Sequence, residues 1–394
     1  MDVGFGESLL IVGLLLAAAA ALSGLMRGTV LSISVLAVAA GIVLGATDLV
    51  SVDAGDEAVV HVIELALVIT LFSDGLYVER ELLRIHWGPA ARAIVIAMPL
   101  TLGVLGIGAH LLFDQLDWAE AFLLAAVLTP TDPVVTSAVV TARRVPALVR
   151  HTLNLESGLN DGLALPFVLF FLVLAEPGGH AGHEALKLLG ESVAGAVIGC
   201  ALAFVAGRLL PLLPRGGITP KYEGIYGLGL GFAAFGLADV TIGNGLIAAF
   251  VAGIALGVAQ HDLPDAFSEF NENVSAVFQA VTFFLFGVLF VATSYGGTVW
   301  PLIAFVPLTL LVARPAAILA ALAGSRLAPP YKAFIAWFGP KGVASMLFAL
   351  FVLNSKAPDG SLVFDIASFV ILSSIVAHGL TDTVGAKWIE RRQS

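Results

Sequence analysis

Thirteen apolar runs, most of them near bilayer length, occupy almost all of this 394-residue chain. A helix needs about 20 apolar residues to cross the hydrocarbon, and fewer where neighbouring protein shields its ends. By that ruler the runs lie near 8–26, 29–46, 58–76, 91–113, 118–140, 152–175, 186–207, 223–239, 242–259, 274–292, 300–323, 331–353 and 364–384. A chain in lipid must satisfy its own backbone hydrogen bonds, so the expected fold is all-α and membrane-integral. The composition is 59% apolar and 12% charged, against about 45–50% and 25% in soluble domains. The first run opens with Asp2 and Glu7 and no basic residue, unlike a signal peptide, and is read as the first membrane helix. Only IERRQS follows Trp388, so no large cytosolic domain is expected on this chain. A single cysteine, Cys200, excludes an internal disulfide and a cysteine-based metal cluster.

Loop charge sets the orientation. With the N-terminus outside, the inner loops carry Arg27, Arg80, Arg84, Arg92, Arg143, Arg144, Arg150, Arg208, Arg215, Lys221, Arg326, Lys332, Lys387, Arg391 and Arg392. The outer loops carry only Lys187 and Lys356, while Arg314 and Lys341 fall inside apolar runs. One inner loop, HDLPDAFSEFNEN (261–273), is read as acidic. An odd number of spans makes the first six and the last six helices inverted repeats joined by a linker helix, the seventh, as in many secondary transporters. In such folds Gly/Pro-broken segments at matching places mark the site. Segment 5 holds LTPTDPVV (128–135) and segment 12, fifth in its own half, holds FGPKGVAS (338–345). Both are expected to unwind within the membrane.

Ionisable residues at membrane depth cost at least ~2.5–3.5 kcal/mol each at a helix centre, so each needs a partner or a task. They are read as Glu64, Asp132, Glu156, Asp161, Arg314 and Lys341. Four acids against two bases leave a negative surplus, which a cation or protons relieve. Ser157 and Asp161 are four apart and share a helix face, as do Glu156 and Asn160. Asp161 and the Ser157 hydroxyl offer hard oxygen ligands for an alkali cation. Unwound carbonyls around Thr129–Thr131 add to them, and Asp132 binds directly or through water. Matching depths make Glu156–Arg314 a candidate structural ion pair. At the crossing of the two breaks, Asp132 is placed to offset helix N-termini and Lys341 to offset C-termini.

TPTDPV, ESGLNDG, the apolar segment with Arg314 and the GPKG break together resemble the monovalent cation:proton antiporter superfamily, in its NhaP and sodium–proton exchanger branch. The resemblance spans the whole chain and implies an NhaA-like fold of about 13 transmembrane helices with helices 5 and 12 broken. It implies a homodimer, with residues 1–90 (helices 1–3) and 177–298 (linker and helices 8–10) as scaffold. Residues 91–176 (helices 4–6) and 299–394 (helices 11–13) would form the mobile ion-carrying core. By the same resemblance Thr131, Asp132, Glu156, Ser157, Asn160, Asp161 and Arg314 map onto the functional motif, and Glu64 matches an entrance acid of some relatives. Asn160–Asp161 is the pairing of electroneutral members, implying one cation for one proton. Segment 12 departs, with Pro340-Lys341-Gly342 where relatives often carry Gly-Arg-Gly.

The expected function is therefore exchange of Na+ (with Li+ or K+ as alternatives) for H+, with Asp161 holding each in turn and no cofactor. The expected setting is a lipid bilayer, a prokaryotic inner membrane, with no nucleic-acid partner and the C-terminus in the cytoplasm. A cation channel and a non-transporting membrane sensor of the same fold are the alternatives from other classes. No nucleophile–base or metal-ligand constellation points to an enzyme. Asp74 and Glu79 are read as solvated near the inner end of segment 3, and His86, His151, His180, His183 and His261 as surface residues.

Overall fold

The computed structural model describes residues 5–26, 33–84, 88–132, 145–177, 181–209, 220–259, 265–292 and 295–392. Arg143, Arg144 and the second half of predicted segment 5 lie outside them. The described residues form helices α1 (Phe5–Met26), α2 (Ile33–Ala46), α3 (Glu57–Arg84), α4 (Gly88–Leu112), α5 (Trp118–Val127), α6 (Ala147–Ala175) and α7 (Ala181–Leu209). They continue as α8 (Pro220–Asp239), α9 (Gly245–Ala259), α10 (Asp265–Ala292), α11 (Val299–Ala321), α12 (Pro329–Trp337), α13 (Val343–Leu353) and α14 (Gly360–Glu390). Seven of them are long and apolar enough to cross a membrane by length and composition. Shorter apolar helices, including α5, α9 and α13, fill the remaining runs.

Two boundaries differ most from the hydropathy reading. The stretch 261–273, expected as an acidic loop, is helical from Asp265, and Asn271 within it is buried. Helix α3 runs to Arg84, well past the predicted end at 76. Polar residues end an apolar run but need not end a helix, because the helix satisfies its backbone either way.

Glycines fix how the helices cross. A Cβ on Gly41 of α2 would strike the Phe284 carbonyl and lie 3.1 Å from the Gly287 Cα of α10. A Cβ on Gly75 of α3 would strike the Phe250 carbonyl and lie 3.2 Å from the Gly253 Cα of α9. Only residues without a side chain let these backbones approach so closely. The two crossings use the same atoms: in each, the obstructing carbonyl comes three residues before the partner glycine.

Helices α4 and α11 share a second irregularity. Each contains a π-helical stretch, Ala93–Ala97 and Leu308–Ala313, followed two residues later by a proline, Pro99 and Pro315. A proline has no N–H and its ring crowds the carbonyl four residues back. Those carbonyls, of Val95 and Leu311, lie within the widened turns, which relieve the crowding. Helix α5 starts with a capping box, in which Asp117 Oδ1 accepts from the Glu120 amide at 2.8 Å. The buried Glu120 also accepts from the Asp359 amide at 3.0 Å, tying the starts of α5 and α14 together.

Candidate functional site

Helix α5 stops at Val127 and the chain is non-helical through Asp132. Helix α12 stops at Trp337, and α13 begins only at Val343. The two non-helical stretches cross. The Asp132 amide donates to the Pro340 carbonyl at 2.8 Å, and Asp132 Oδ2 accepts from the Val343 amide at 3.0 Å. That amide is one of the unpaired donors at the start of α13, where a carboxylate is favoured. Gly342 is required there, since a Cβ would run into the Asp132 side chain.

The carbonyls at the helix ends are also answered. Lys341, fully enclosed, directs Nζ at the Pro130 and Thr129 carbonyls, at 3.3 and 3.4 Å. Arg314 Nη1 donates to the Ile335 and Ala336 carbonyls at 2.8 and 2.9 Å, near the end of α12. Its Nη2 meets both oxygens of Glu156 at 2.8 Å. Sequence spacing suggested the pair with Glu156, but gave no sign that the guanidinium also closes α12.

Helix α6 supplies the remaining groups along one face. Ser157 Oγ donates to the Thr131 carbonyl. Asn160 grips the same residue twice: Nδ2 donates to Thr131 Oγ1 at 2.7 Å, and Oδ1 accepts from the Thr131 amide at 3.3 Å. Thr129 Oγ1 turns back to the Ala125 carbonyl at 2.7 Å. Ser157 and Asn160, read as ion ligands, thus hold the non-helical stretch in place, and the Thr131 carbonyl accepts from the Ser157 hydroxyl. Asp161 is buried, and its Oδ1 has no hydrogen-bond partner. The charged groups that act on it are Asp74, Asp132 and Lys341.

Asp74 corrects the sequence reading. It was expected to be solvated, but its Oδ2 is buried without a hydrogen-bond partner. Helix α3 continues ten residues beyond it to Arg84, so Asp74 sits ~15 Å from that end. Gly158 lets α6 come close there: its Cβ would stand 3.4 Å from the Asp74 carbonyl. Glu64, by contrast, lies ten residues earlier on α3, ~15 Å away, half-buried and apart from this cluster. The signal available in the sequence was a TLFSDG stretch whose apolar flanks continue on both sides. Asp365, Asp382 and His378 on α14 are buried acids and a buried histidine that the reading also passed over. Asp365 and Asp382 lay at the edges of the predicted run, where charge looks exposed.

The result is a buried group of four carboxylates, Asp74, Asp132, Glu156 and Asp161, with two cations, Arg314 and Lys341. Glu156 and Arg314 neutralise each other, and Lys341 is committed to carbonyls. Asp74 and Asp161 each keep an oxygen free for a positively charged partner. A narrow cleft reaches this region beside the π-helical stretch of α4, lined in part by Thr101, Thr129, Glu156, Asn160 and Arg314.

Residues 11–387 match the family described as "Sodium/hydrogen exchanger, transmembrane". The K(+)/H(+) antiporter NhaP of Alkalimonas amylolytica is 28% identical over 341 residues, covering 83% of this chain and 57% of that protein. The Na(+)/H(+) antiporter of Schizosaccharomyces pombe is 26% identical over 388 residues, covering 85% of this chain and 79% of its own. The chain therefore spans little more than half the length of the first relative. In fold it resembles the sodium proton antiporter MjNhaP1 from Methanocaldococcus jannaschii, with a TM-score of 0.77, 20% identity and 96% of both chains covered.

Proposed function

The chain belongs to the sodium/hydrogen exchanger family, and on that premise we propose that it exchanges a monovalent cation, Na+ or K+, for a proton. The observation that carries this reading is the pair of buried, unpartnered carboxylate oxygens, Asp161 Oδ1 and Asp74 Oδ2, beside the crossing of two broken segments. A dehydrated alkali cation needs such oxygens, and a buried carboxylate without a cation needs a proton. Occupancy by one excludes the other. Asp161 is the alternating carrier, with Asp74 beside it, the Thr131 carbonyl as a neutral ligand and Asp132 reached directly or through water.

The wider arrangement belongs to the same proposal: thirteen spans as two inverted six-helix repeats, N-terminus outside, working as a homodimer. Helices α1–α3 and α7–α10 form the scaffold, while α4–α6 and α11–α14 form the moving core. Three pairings support the repeat. The α2–α10 crossing matches α9–α3, the π-helical stretch of α4 matches that of α11, and the break after α5 matches that after α12. Each maps a helix onto the one seven places later.

Both Na+ and K+ stand in the names of relatives. Proton flux in proteoliposomes, challenged in turn with Na+, Li+ and K+, selects among them. Cation-dependent flux in the intact protein and its loss in Asp161→Asn are the expected results. Flux that survives in Asp161→Asn, or single-channel current in place of exchange, overturns the proposal.

A further inference from the structure

Helix α14 holds a side-chain chain that spans the break between α12 and α13. His378 is buried, with Nε2 3.0 Å from the Trp337 carbonyl, the last residue of α12. Its Nδ1 lies 3.1 Å from Ser374 Oγ and 2.8 Å from the Ser374 carbonyl. Ser374 Oγ accepts from the Lys341 amide at 2.9 Å. The His378 ring stacks on Trp337 with centroids 5.0 Å apart, and Trp337 Nε1 donates to Thr381 Oγ1 at 3.0 Å.

The directions of these bonds constrain one another. A carbonyl only accepts, so Nε2 must carry a proton to bond Trp337. Nδ1 faces the Ser374 hydroxyl and, closer, the Ser374 carbonyl: without a proton it accepts from the hydroxyl, and with one it donates to either oxygen. The hydroxyl's own oxygen is left to accept from the Lys341 amide. The contacts run from Lys341 through Ser374 to His378 and on to Trp337. Both ends of the break, residues 337 and 341, are thereby fixed to one continuous helix. Arg314 closes the Ile335 and Ala336 carbonyls from the other side, so α12 ends with three of its carbonyls held by side chains from α11 and α14. Arg314 and Lys341 are the charged groups that act on His378 from α11 and the break, and Asp382 lies one turn further along α14.

We propose that His378, carrying a proton on Nε2, is a positioning residue for ion exchange that sets the register of the α12–α13 break through Ser374. Lys341 Nζ reaches the Thr129 and Pro130 carbonyls, and Gly342 faces Asp132, only if the backbone at Lys341 is held where Ser374 holds it. His378 touches no transported ion and acts through these contacts. The inference rests on the exchange reading for its kinetic test, but its structural test stands apart.

The structural test is the ¹⁵N spectrum of histidine-labelled wild-type protein in lipid, with the His378 signal assigned by its absence from His378→Gln. A hydrogen-bonded proton on Nε2 supports the proposal; an Nε2 without a proton, as in the Nδ1–H tautomer, overturns it. The kinetic test compares His378→Ala, Ser374→Ala and the double variant for cation-driven proton flux. A misplaced break raises the cation KM by about tenfold, as expected for breaking one buried hydrogen-bond chain, and the double variant is no worse than either single. Loss of folded protein alone lowers maximal flux without moving KM. An unchanged KM, or losses that add in the double variant, overturns the proposal. His378→Gln, which keeps a donor for Trp337, is expected to recover part of the KM shift.

Discussion

Arg314 binds both carboxylate oxygens of Glu156 from one nitrogen, Nη2, at 2.8 Å each, while its Nη1 closes the end of α12. One side chain therefore joins α6, α11 and α12. Removing either charge leaves the other buried and unpaired, which costs about 3–5 kcal/mol. Arg314→Ala should cost more than Glu156→Gln, since it also releases two carbonyls and the glutamine keeps an acceptor. Thermal unfolding in detergent, compared between the two variants, measures the difference.

Asp74 faces Asp161 from α3 with a free, buried oxygen. Asp74→Asn keeps the shape but removes a charge from the ion's surroundings. The expected outcome is a cation KM raised at least tenfold in proteoliposomes, about 1.4 kcal/mol of lost ion binding, with the protein still folded. An unchanged KM would remove Asp74 from the site.

Gly342 has no room for a methyl group beside Asp132. Gly342→Ala must displace the carboxylate from the Val343 amide or open the break, at a cost of about 1–3 kcal/mol. Exchange should fall sharply in this variant, whereas Gly6→Ala, which meets open space, leaves it unchanged. Flux measurements on both variants check the contrast.

Asn160 tests the charge count. It holds Thr131 by one donated and one accepted bond, and an aspartate there still binds if the Thr131 hydroxyl reverses and donates to it. Asn160→Asp should therefore fold. With a second titrating group the loaded and protonated states need no longer match in charge, so exchange should respond to an imposed membrane potential while the parent's does not. A parent that responds to the potential would remove the electroneutral expectation, and a variant that does not respond would remove Asn160 from the charge count.

Gly41 and Gly75 mark equivalent crossings of α2 with α10 and α3 with α9. Alanine at either site forces two backbones apart and should cost about 1–3 kcal/mol of stability. The crossings share no partner, so the losses are expected to add to within about 0.5 kcal/mol. Unfolding midpoints of the two single variants and the double supply the comparison.

The apolar runs, the Gly/Pro interruptions at 128–135 and 338–345, and the charges of Asp132, Asp161, Glu156, Arg314 and Lys341 were all legible in the sequence. The reason is physical: in lipid, length, hydropathy and the cost of buried charge leave few alternatives for a segment. What stayed hidden was direction. The sequence placed Ser157 and Asn160 on helix faces beside Asp161, but only the fold turns them onto Thr131. It marked Asp74 as a residue near the end of an apolar run, whereas the continuation of α3 and the close approach of α6 bury it against Asp161. It gave no reason to choose His378 among the eight histidines. Hydropathy is a property of one segment, so it fixes which residues enter the membrane; a hydrogen bond or a shared ion site needs two segments at a set distance and rotation, and that is decided only when the helices pack.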